Sequence, residues 1–337
     1  MDLIYNISLL RIIKKLNIIL NILILTIVLP KSFGEKKGKL KNYGVLCYNY
    51  KHIINKNSSY TPNDVNLGDY IQSLAAWQYL PKNYKPVFID RDSLKYYNEE
   101  NVTMIMNGWY FLNENNDYFS DNINPIFVSF HISNTNDINN STVEYLKKHE
   151  PIGCRDKNTR KLLNKYGIRA YFSGCLTTTL DIDYKVDNSE REDNIIFCDY
   201  KFGDYGPADE ILKSMKNYNF NKTEFTTHSY TLNSSHEQRF ELSIKLLKKY
   251  AKAKLVITSR IHCALPCLAM GTPVILINKK YDKKRYSGIY KLLNTIGINE
   301  KGKFSKNIKF DDNGNVINSN YYLKFSNKLK QRIRDEI

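Results

Sequence analysis

The 337-residue sequence lacks the short motifs that would assign a chemistry at once. It contains no Gly-x-Gly-x-x-Gly fingerprint, no Walker loop, no Gly-x-Ser-x-Gly nucleophile elbow and no His-Glu-x-x-His pair. These absences remove the usual signatures of dinucleotide-dependent enzymes, P-loop nucleotide hydrolases, α/β-hydrolases and zinc proteases. A site in this chain must therefore be inferred from where polar residues fall relative to strands and helices.

Cysteine is present, but it is not spaced for metal binding. The one close pair, Cys263 and Cys267, has no second pair and no His-x-x-x-His beside it, so we expect no zinc site. Cys47 and Cys198 lie in apolar runs that are typical of strands. We interpret the cysteines as buried structural thiols, which favours a reducing compartment.

Long runs of Lys or Arg are also missing, although the formal net charge is +16. The longest clusters of basic residues are pairs and one triplet at residues 283–285, and aromatic residues do not alternate with the basic residues in a repeating pattern. This pattern makes nucleic acid the least favoured partner. A positive balance still suits an anionic substrate or an anionic membrane surface.

The apolar run near the N-terminus is short for a membrane span. Residues 16–29, LNIILNILILTIVL, include two Asn and follow several basic residues. Length and flanks are typical of the apolar core of a signal sequence, although no Ala-x-Ala site follows; an extra helix packed on the body is the alternative. We expect membrane association through this segment, and the excess of Lys after it favours a cytoplasmic body. The other locations considered are the cytoplasm and the secretory pathway.

From about residue 42, short apolar runs alternate with segments of helical periodicity. This alternation predicts an α/β fold built on parallel sheets. The polar residues 181–193 predict a linker, so we expect two Rossmann-like domains, residues 41–180 and 194–318, facing a ligand-binding cleft. An N-terminal segment (1–40) and a C-terminal helix (319–337) flank them. The predicted strands are residues 43–50, 101–108, 125–133, 151–156, 169–175, 194–200, 255–259 and 272–278, and the predicted helices are residues 69–81, 158–167, 207–218, 236–253 and 319–335.

Arg260 and His262 interrupt a stretch that is otherwise built for burial. Because proline is tolerated only in the first turn, Pro266 predicts a helix that begins near Cys263. The two polar residues then lie in a strand-to-helix turn, which lines the crevice of a parallel sheet. There Arg260 suits a carboxylate or phosphate, and His262 suits an acid or base. The alternative is that Arg260 pairs with an internal carboxylate and His262 caps the helix.

Further candidates lie at other predicted strand and helix ends. Gly68 and Asp69 begin the first helix, where Asp69 either caps free amides or faces the cleft. His131 ends a strand, and a satisfied buried histidine is as compatible with that position as a ligand contact. Arg155 also ends a strand, where it either meets a ligand or pairs with Asp156. The hydroxyls of SGCLTTTL (173–180) suit polar or phosphate contacts, and His52, His149, His228 and His236 are expected to be solvated.

The chain resembles the polysaccharide pyruvyl transferase family in four segments that keep the family's order: NLGDYIQSLAAWQYLP (66–81), SFHISN (129–134), PIGCRDKNTRKLLNKYGIRAYFSGCLTTTL (151–180) and VITSRIHCALPCLAMGTPVILIN (256–278). The resemblance implies a two-domain fold like that of the GT-B glycosyltransferases, with the site in the cleft. It implies transfer of pyruvate from phosphoenolpyruvate onto two hydroxyls of a sugar, in a polysaccharide or a lipid-linked glycan, giving a cyclic ketal and phosphate. The scheme requires no metal and no cofactor.

The family's Ser-Arg-x-His motif matches Ser259, Arg260 and His262. That match implies that Arg260 binds the donor's carboxylate or phosphate and that His262 is the general acid. A second family arginine falls on Arg155. Many members carry an Asp-Pro pair where this chain has SGCLTTTL, a departure near the predicted linker that bears on the donor or acceptor pocket.

The family's Gly-Asp pair matches Gly68 and Asp69. Protonation of the methylene carbon of phosphoenolpyruvate makes its C2 electrophilic, and Asp69 would take the proton of the attacking sugar hydroxyl. Two other hypotheses stay open. One is a GT-B-type glycosyltransferase with a nucleotide-sugar donor, and the other is a non-catalytic protein that binds a glycan or an anion.

Overall fold

The computed structural model describes residues 42–50, 64–110, 119–132 and 138–337. The predicted apolar segment, residues 16–29, and His52 lie outside these ranges. Within the described ranges, no helix is both long enough and apolar enough to cross a membrane.

The N-terminal half is built on a four-stranded parallel sheet with the order β3-β1-β4-β6. Its central strands β1 and β4 are apolar over nearly their whole length, as strands covered on both faces must be. Backbone bonds from Gly153 to Phe127 and from Arg155 to Phe130 continue this sheet toward a further parallel pair, β8 and β9. The strands are β1 (Asn42–Cys47), β2 (Asp64–Asn66), β3 (Val87–Asp90), β4 (Val102–Ile105), β5 (Trp109–Tyr110), β6 (Ile123–Ile126), β7 (His131–Ile132), β8 (Ile152–Cys154) and β9 (Ala170–Phe172), and the helices are α1 (Leu67–Trp77), α2 (Asn140–Lys148), α3 (Lys157–Lys165) and α4 (Asp181–Tyr184).

The C-terminal half is built on a six-stranded sheet with the order β11-β10-β13-β14-β15-β16, in which β16 alone runs antiparallel to its neighbour. The α/β fold with parallel sheets is therefore confirmed. The strands are β10 (Ile195–Cys198), β11 (Thr223–Thr226), β12 (Ser229–Thr231), β13 (Leu255–Thr258), β14 (Val274–Asn278), β15 (Asn294–Ile298), β16 (Phe304–Asn307), β17 (Lys309–Phe310) and β18 (Val316–Ile317), and the helices are α5 (Gly206–Lys213), α6 (His236–Lys252), α7 (Ile261–Met270), α8 (Lys283–Tyr286) and α9 (Leu323–Glu336).

The two halves are joined by a seam of backbone and side-chain contacts. Strand β2 of the first half pairs antiparallel with β12 of the second, and the Leu67 amide donates to the His228 carbonyl at 2.8 Å. Arg239 on α6 donates to the Tyr48 carbonyl and to the Tyr70 hydroxyl, both at 2.8 Å. One hydrophobic cluster contains buried residues of both halves, so they share a core.

Helix α7 begins at Ile261, so the prediction that it starts near Cys263 was wrong. Pro266 lies inside the helix, beyond the first turn. Pro266 removes the bond that its own nitrogen would have made, and its ring crowds the carbonyl four residues earlier. The first-turn amides of Cys263 and Ala264 precede the proline and donate to the Arg260 carbonyl. All ten residues of the helix are buried, so tertiary packing offsets the cost of the proline. Gly271 ends the helix with a φ of 78°, the left-handed geometry that favours glycine.

Candidate active site

The candidate site lies where strand ends of both halves meet the first turn of α1. Gly68 lies at a point of close approach, because a Cβ atom there would lie 3.2 Å from the Cβ atom of His262 and 3.0 Å from His228 Nδ1. Glycine is therefore the residue that lets helices α1 and α7 come this close. The structure thereby brings Gly68, Asp69, His131, Arg155 and His262 into one polar region.

His262 occupies the first turn of α7 and is 6% exposed. Its Nε2 atom is buried and has no hydrogen-bond partner among the described residues. Burial lowers the pKa of His262 well below its ordinary value, and the positive charges of Arg155 and Arg285 lower it further. The imidazole is therefore neutral at pH 7 in the free protein, and its unpartnered nitrogen is open to a ligand.

Arg155 follows β8 and is 2% exposed. Within the part of the chain that the structure describes, its Nε atom has no hydrogen-bond partner, and no ion pair joins its guanidinium to a carboxylate. Burial lowers the pKa of Arg155, but a guanidinium stays charged at neutral pH. Burying a charge without a partner costs free energy. An unpaired buried guanidinium is therefore what we expect of a group that binds an anionic ligand.

Arg155 does not pair with Asp156, the alternative considered for it. The Asp156 carboxylate instead caps α3 by accepting from the Thr159 amide at 2.8 Å. Its other oxygen lies 2.7 Å from His131 Nδ1. Asp156 therefore fixes the start of α3 and the ring of His131 together.

His131 is fully buried, and its Nε2 atom has no partner among the described residues. Burial lowers the pKa of His131 to about 4, with the nearby Arg155 as the next cause. A neutral ring that donates from Nδ1 to Asp156 has a bare Nε2, which can accept a hydrogen bond or a proton.

Asp69 lies in the first turn of α1, but it is not the cap of that helix. Asn66 caps it, because the Asn66 side chain accepts from the Gly68 amide at 3.0 Å. The Asp69 carboxylate accepts from the Tyr50 hydroxyl at 2.8 Å and from Gln72 Nε2 at 3.1 Å. Burial raises the pKa of Asp69 above its ordinary value, against the opposing effects of Arg91 and Tyr50. A carboxylate with a raised pKa suits proton transfer.

Arg260 and Ser259 both contact Asp199, the residue that follows β10. Arg260 Nε lies 2.9 Å from Asp199 Oδ2, and the Ser259 hydroxyl donates to the Asp199 carbonyl at 2.7 Å. Asp199 has a φ of 50°, a left-handed geometry that aspartate tolerates better than most residues. The Arg260 side chain is 39% exposed. Arg260 therefore pairs with an internal carboxylate, which was the alternative considered for it from the sequence. Its side chain is nevertheless accessible to solvent.

Two further residues belong to the region and were missed by sequence reasoning. His228 is 1% exposed, so the prediction that it is solvated was wrong. Its Nε2 lies 3.1 Å from the Tyr250 hydroxyl, whereas its Nδ1 is unpartnered among the described residues. Arg285, on α8, places its guanidinium carbon 5.8 Å from the centre of the Trp109 ring and lowers the pKa of His262.

The hydroxyls of SGCLTTTL were predicted to suit ligand contacts, and the structure gives them internal partners. Thr178 and Thr179 donate to the Cys175 and Leu176 carbonyls at 2.7 and 2.8 Å. Ser173 donates to the Cys154 carbonyl at 3.0 Å. Residues Leu176–Thr179 form a buried 3₁₀ turn. This stretch supports the strand that carries Arg155 rather than offering free hydroxyls.

One group of described residues has atoms close enough to share a metal ion, namely Cys198, His228 and Cys263, whose potential ligand atoms lie within 4.8 Å of one another. The Tyr250 hydroxyl lies 3.1 Å from His228 Nε2 and 3.2 Å from Cys198 Sγ, so it already joins two of the three. Burial raises the pKa of both thiols. All six cysteines are free and buried, as the sequence predicted.

Comparison with known families decides the assignment. A family model described as polysaccharide pyruvyl transferase matches residues 66–281. The chain belongs to the polysaccharide pyruvyl transferase family. The match runs from the cap of α1 through the Ser-Arg-x-His turn and ends just before α8, so it contains every candidate residue named from the sequence. No curated protein and no solved structure matches the chain significantly. Membership makes the protein a transferase and implies a glycan acceptor.

Proposed function

We propose that this pyruvyl transferase moves the pyruvyl group of phosphoenolpyruvate onto two hydroxyls of one sugar in a polysaccharide or lipid-linked glycan. The observation that carries the proposal is the buried guanidinium of Arg155, which has no carboxylate partner in the described part of the chain and lies beside two imidazoles with unpartnered Nε2 atoms. Phosphoenolpyruvate carries a carboxylate and a phosphate, so it would supply the charge that this guanidinium lacks.

The donor would lie among Arg155, Arg260 and Arg285. Arg155 is buried, and it would form a two-pronged contact with a carboxylate or phosphate. Arg260 would contact the donor while it keeps its pair with Asp199, since its side chain is 39% exposed beside that carboxylate. Arg285 lies close enough to this region for its charge to lower the pKa of His262.

His262 would supply the proton, and binding of phosphoenolpyruvate would favour the protonated form of its ring. Burial holds the pKa of His262 low in the free protein, and the charges of Arg155 and Arg285 lower it further. The anion would neutralise these two charges. Donor binding would therefore raise this pKa and bring a proton onto the ring. His262 would then protonate the methylene carbon, leaving C2 as the electrophile.

The rest of the reaction would need a base near the sugar. Asp69 would accept the proton of the first hydroxyl as its oxygen bonds to C2, and the bare Nε2 of His131 would orient that sugar. The second hydroxyl would then bond to C2 as the C2–O bond to phosphate breaks, and its proton would leave with the phosphate or return to His262. The products would be the cyclic ketal and phosphate.

We further propose that the two halves correspond to the domains of a GT-B-like fold, with the site between them. The candidate residues come from both halves, and parallel strands end at the site in each. Membrane association through residues 16–29 remains part of the proposal.

A donor screen tests the function. The purified protein would be incubated with phosphoenolpyruvate and pooled glycan acceptors, with phosphate release and the mass of the acceptors as readouts. We expect phosphate release that depends on an acceptor, together with a ketal-linked pyruvyl group. Release of nucleoside diphosphate from a nucleotide sugar, with phosphoenolpyruvate inert, would assign the glycosyltransferase reaction instead. Binding of glycan without turnover of either donor would assign a binding protein.

A further inference from the structure

A groove on the outer side of α3 and α9 is separate from the site described above. One part is a cavity of ≈ 290 Å³ that α3 lines together with the loop after α8, and the other is a cavity of ≈ 180 Å³ lined by β9 and α9. Phe172 and Phe325 line both cavities, and their ring centres lie 5.0 Å apart, so the two parts form one groove. We call it the α3–α9 groove.

Positive charge surrounds the α3–α9 groove. Among the described residues, no Asp or Glu lines it and five basic residues do: Lys157, Arg160, Lys291, Lys324 and Lys328. Lys291 has a carboxylate neighbour in Glu300, at 3.3 Å. No ion pair within the described ranges joins any of the other four, and the buried Nε of Arg160 has no partner there. Helix α3 contains no acidic residue.

The floor of the groove is aromatic. Phe172 and Phe325 are half-buried, and Tyr321 is 52% exposed with its ring centre 5.6 Å from that of Phe325. The Lys157 ammonium lies 6.0 Å from the centre of the Phe172 ring. Ring faces pack against the apolar C–H faces of sugars, and cations beside them bind carboxylates and phosphates.

The groove and the active site share their supporting elements. Arg155 and Asp156 lie at the site, and the next residue, Lys157, lines the groove. In the same way Arg285 faces the site and Gly288, three residues later, lines the groove. The Lys157 amide donates to the Ser287 carbonyl at 2.9 Å, which ties the two elements together. A chain bound in the groove would therefore lie on the far side of the wall that carries Arg155.

We propose that the α3–α9 groove binds a carboxylate- or phosphate-bearing stretch of the glycan, away from the sugar that reacts. This proposal rests on the proposed function for its glycan acceptor. A concave floor of rings edged by lysines fits a sugar chain with acidic groups better than it fits a flat lipid surface. The groove would give the enzyme a preference for acidic glycans that the reacting sugar alone does not provide.

Binding measurements on the full chain test the groove without any need for turnover. The probes are a tetragalacturonate for the carboxylate, inorganic pyrophosphate for the phosphate and maltotetraose as the neutral control, each titrated by calorimetry at low salt into the wild type and into Arg155→Met, whose donor site should lose its affinity for anions. The affinity that Arg155→Met keeps is assigned to the groove, and the groove and control substitutions are compared on that background. We expect binding of one or both anionic probes, weakened by added salt, and no binding of maltotetraose. In the Lys324→Ala/Lys328→Ala variant the affinity should fall about tenfold.

The matched control is Lys216→Ala/Lys303→Ala, which removes two exposed lysines that do not line the groove. It should bind the anionic probes as the wild type does. The reversal Lys324→Glu/Lys328→Glu should abolish binding, and all these variants should unfold at the same temperature as the wild type because the side chains are exposed.

Three outcomes would overturn the groove. In the first, the groove pair and the control pair of alanine variants lose equal affinity for the anionic probes. In the second, the groove variants bind these probes as tightly as the wild type does. In the third, neither anionic probe binds, but phosphatidylglycerol vesicles do, and the groove variants lose that vesicle binding. The His262→Ala variant separates this proposal from the proposed function. It should lose pyruvyl transfer and keep full binding of the anionic probes, so that either proposal can fail while the other stands.

Discussion

Asp156 joins a helix cap and a histidine ring, since one oxygen accepts from the Thr159 amide at 2.8 Å and the other lies 2.7 Å from His131 Nδ1. Both Asp156 and His131 are fully buried. This pair fixes which ring nitrogen of His131 is bare, because a ring that donates from Nδ1 leaves Nε2 unprotonated toward the site.

Asp156→Asn separates the two tasks of Asp156. Asparagine caps a helix as well as aspartate does, so the free energy of unfolding should change by less than about 1 kcal/mol. The ring of His131 loses its charged orienting partner, so kcat should fall at least tenfold while the KM for phosphoenolpyruvate changes little. Thermal unfolding and steady-state kinetics check this. A large loss of stability with unchanged kcat would make the pair purely structural.

Arg155→Met tests whether the buried guanidinium waits for an anion. A charge buried without a partner opposes folding, so its replacement by an apolar side chain of similar length should leave the unfolding temperature unchanged or raise it. Affinity for phosphoenolpyruvate should fall at least a hundredfold, measured by calorimetry. Arg91→Met is a matched control, because Arg91 is equally buried but pairs with Asp92 at 2.8 Å. That control should destabilise the protein. If Arg155→Met destabilises it as strongly, the assignment of Arg155 is wrong.

Donor binding should take up a proton at His262. Burial, together with the charges of Arg155 and Arg285, holds the pKa of this group well below its ordinary value in the free protein. An anion that offsets the two arginine charges should raise this pKa. Because the complex then holds more protons than the free protein, affinity for phosphoenolpyruvate should rise as pH falls from 8 to 6. Calorimetry in buffers of different ionisation enthalpy measures the uptake directly. The His262→Gln variant reports the donor's own titration, and an identical pH dependence in that variant would remove His262 as the proton carrier.

Arg260→Ala should act mainly on donor binding. Its pair with Asp199 is partly exposed, so its loss should cost less than about 1 kcal/mol of unfolding free energy. The KM for phosphoenolpyruvate should rise at least tenfold, whereas His262→Ala should lower kcat more than affinity. Asp199→Asn keeps a side chain that tolerates the left-handed backbone and removes the charge, so it should shift the KM several-fold without unfolding the protein. Wild-type KM in Arg260→Ala would assign Arg260 to structure alone.

The sequence predicted the strand-end positions well because buried parallel strands leave a clear pattern. Short apolar runs end in polar residues at Arg155 and Ser259, and such ends converge at one edge of a sheet. The start of α7 was misplaced because a proline costs one backbone bond, a loss that a fully buried helix tolerates. The roles of the site residues stay predictions until the variants are measured.

Sequence reasoning missed residues whose surroundings carry no periodicity. Arg285 lies in a four-residue helix within a polar stretch, which gives neither a helical nor a strand pattern. His228 follows β11, an edge strand of four residues with an exposed Phe225, and only tertiary contact with α1 and Tyr250 buries it. The three-residue strand β2 is recognisable only through its partner β12, far along the chain.

The antiparallel pairing of β2 with β12 opposes separation of the two halves at one edge of the site. This short ladder, the Leu67 amide and the bonds of Arg239 all hold one edge of the site closed, and a continuous apolar core lies beneath them. A movement that separated the two halves at that edge would break the β2–β12 hydrogen bonds and would also expose the shared apolar core to water. If the proposed reaction takes place at this site, we expect the donor, the glycan and the phosphate to enter and leave on a side of the molecule away from this seam.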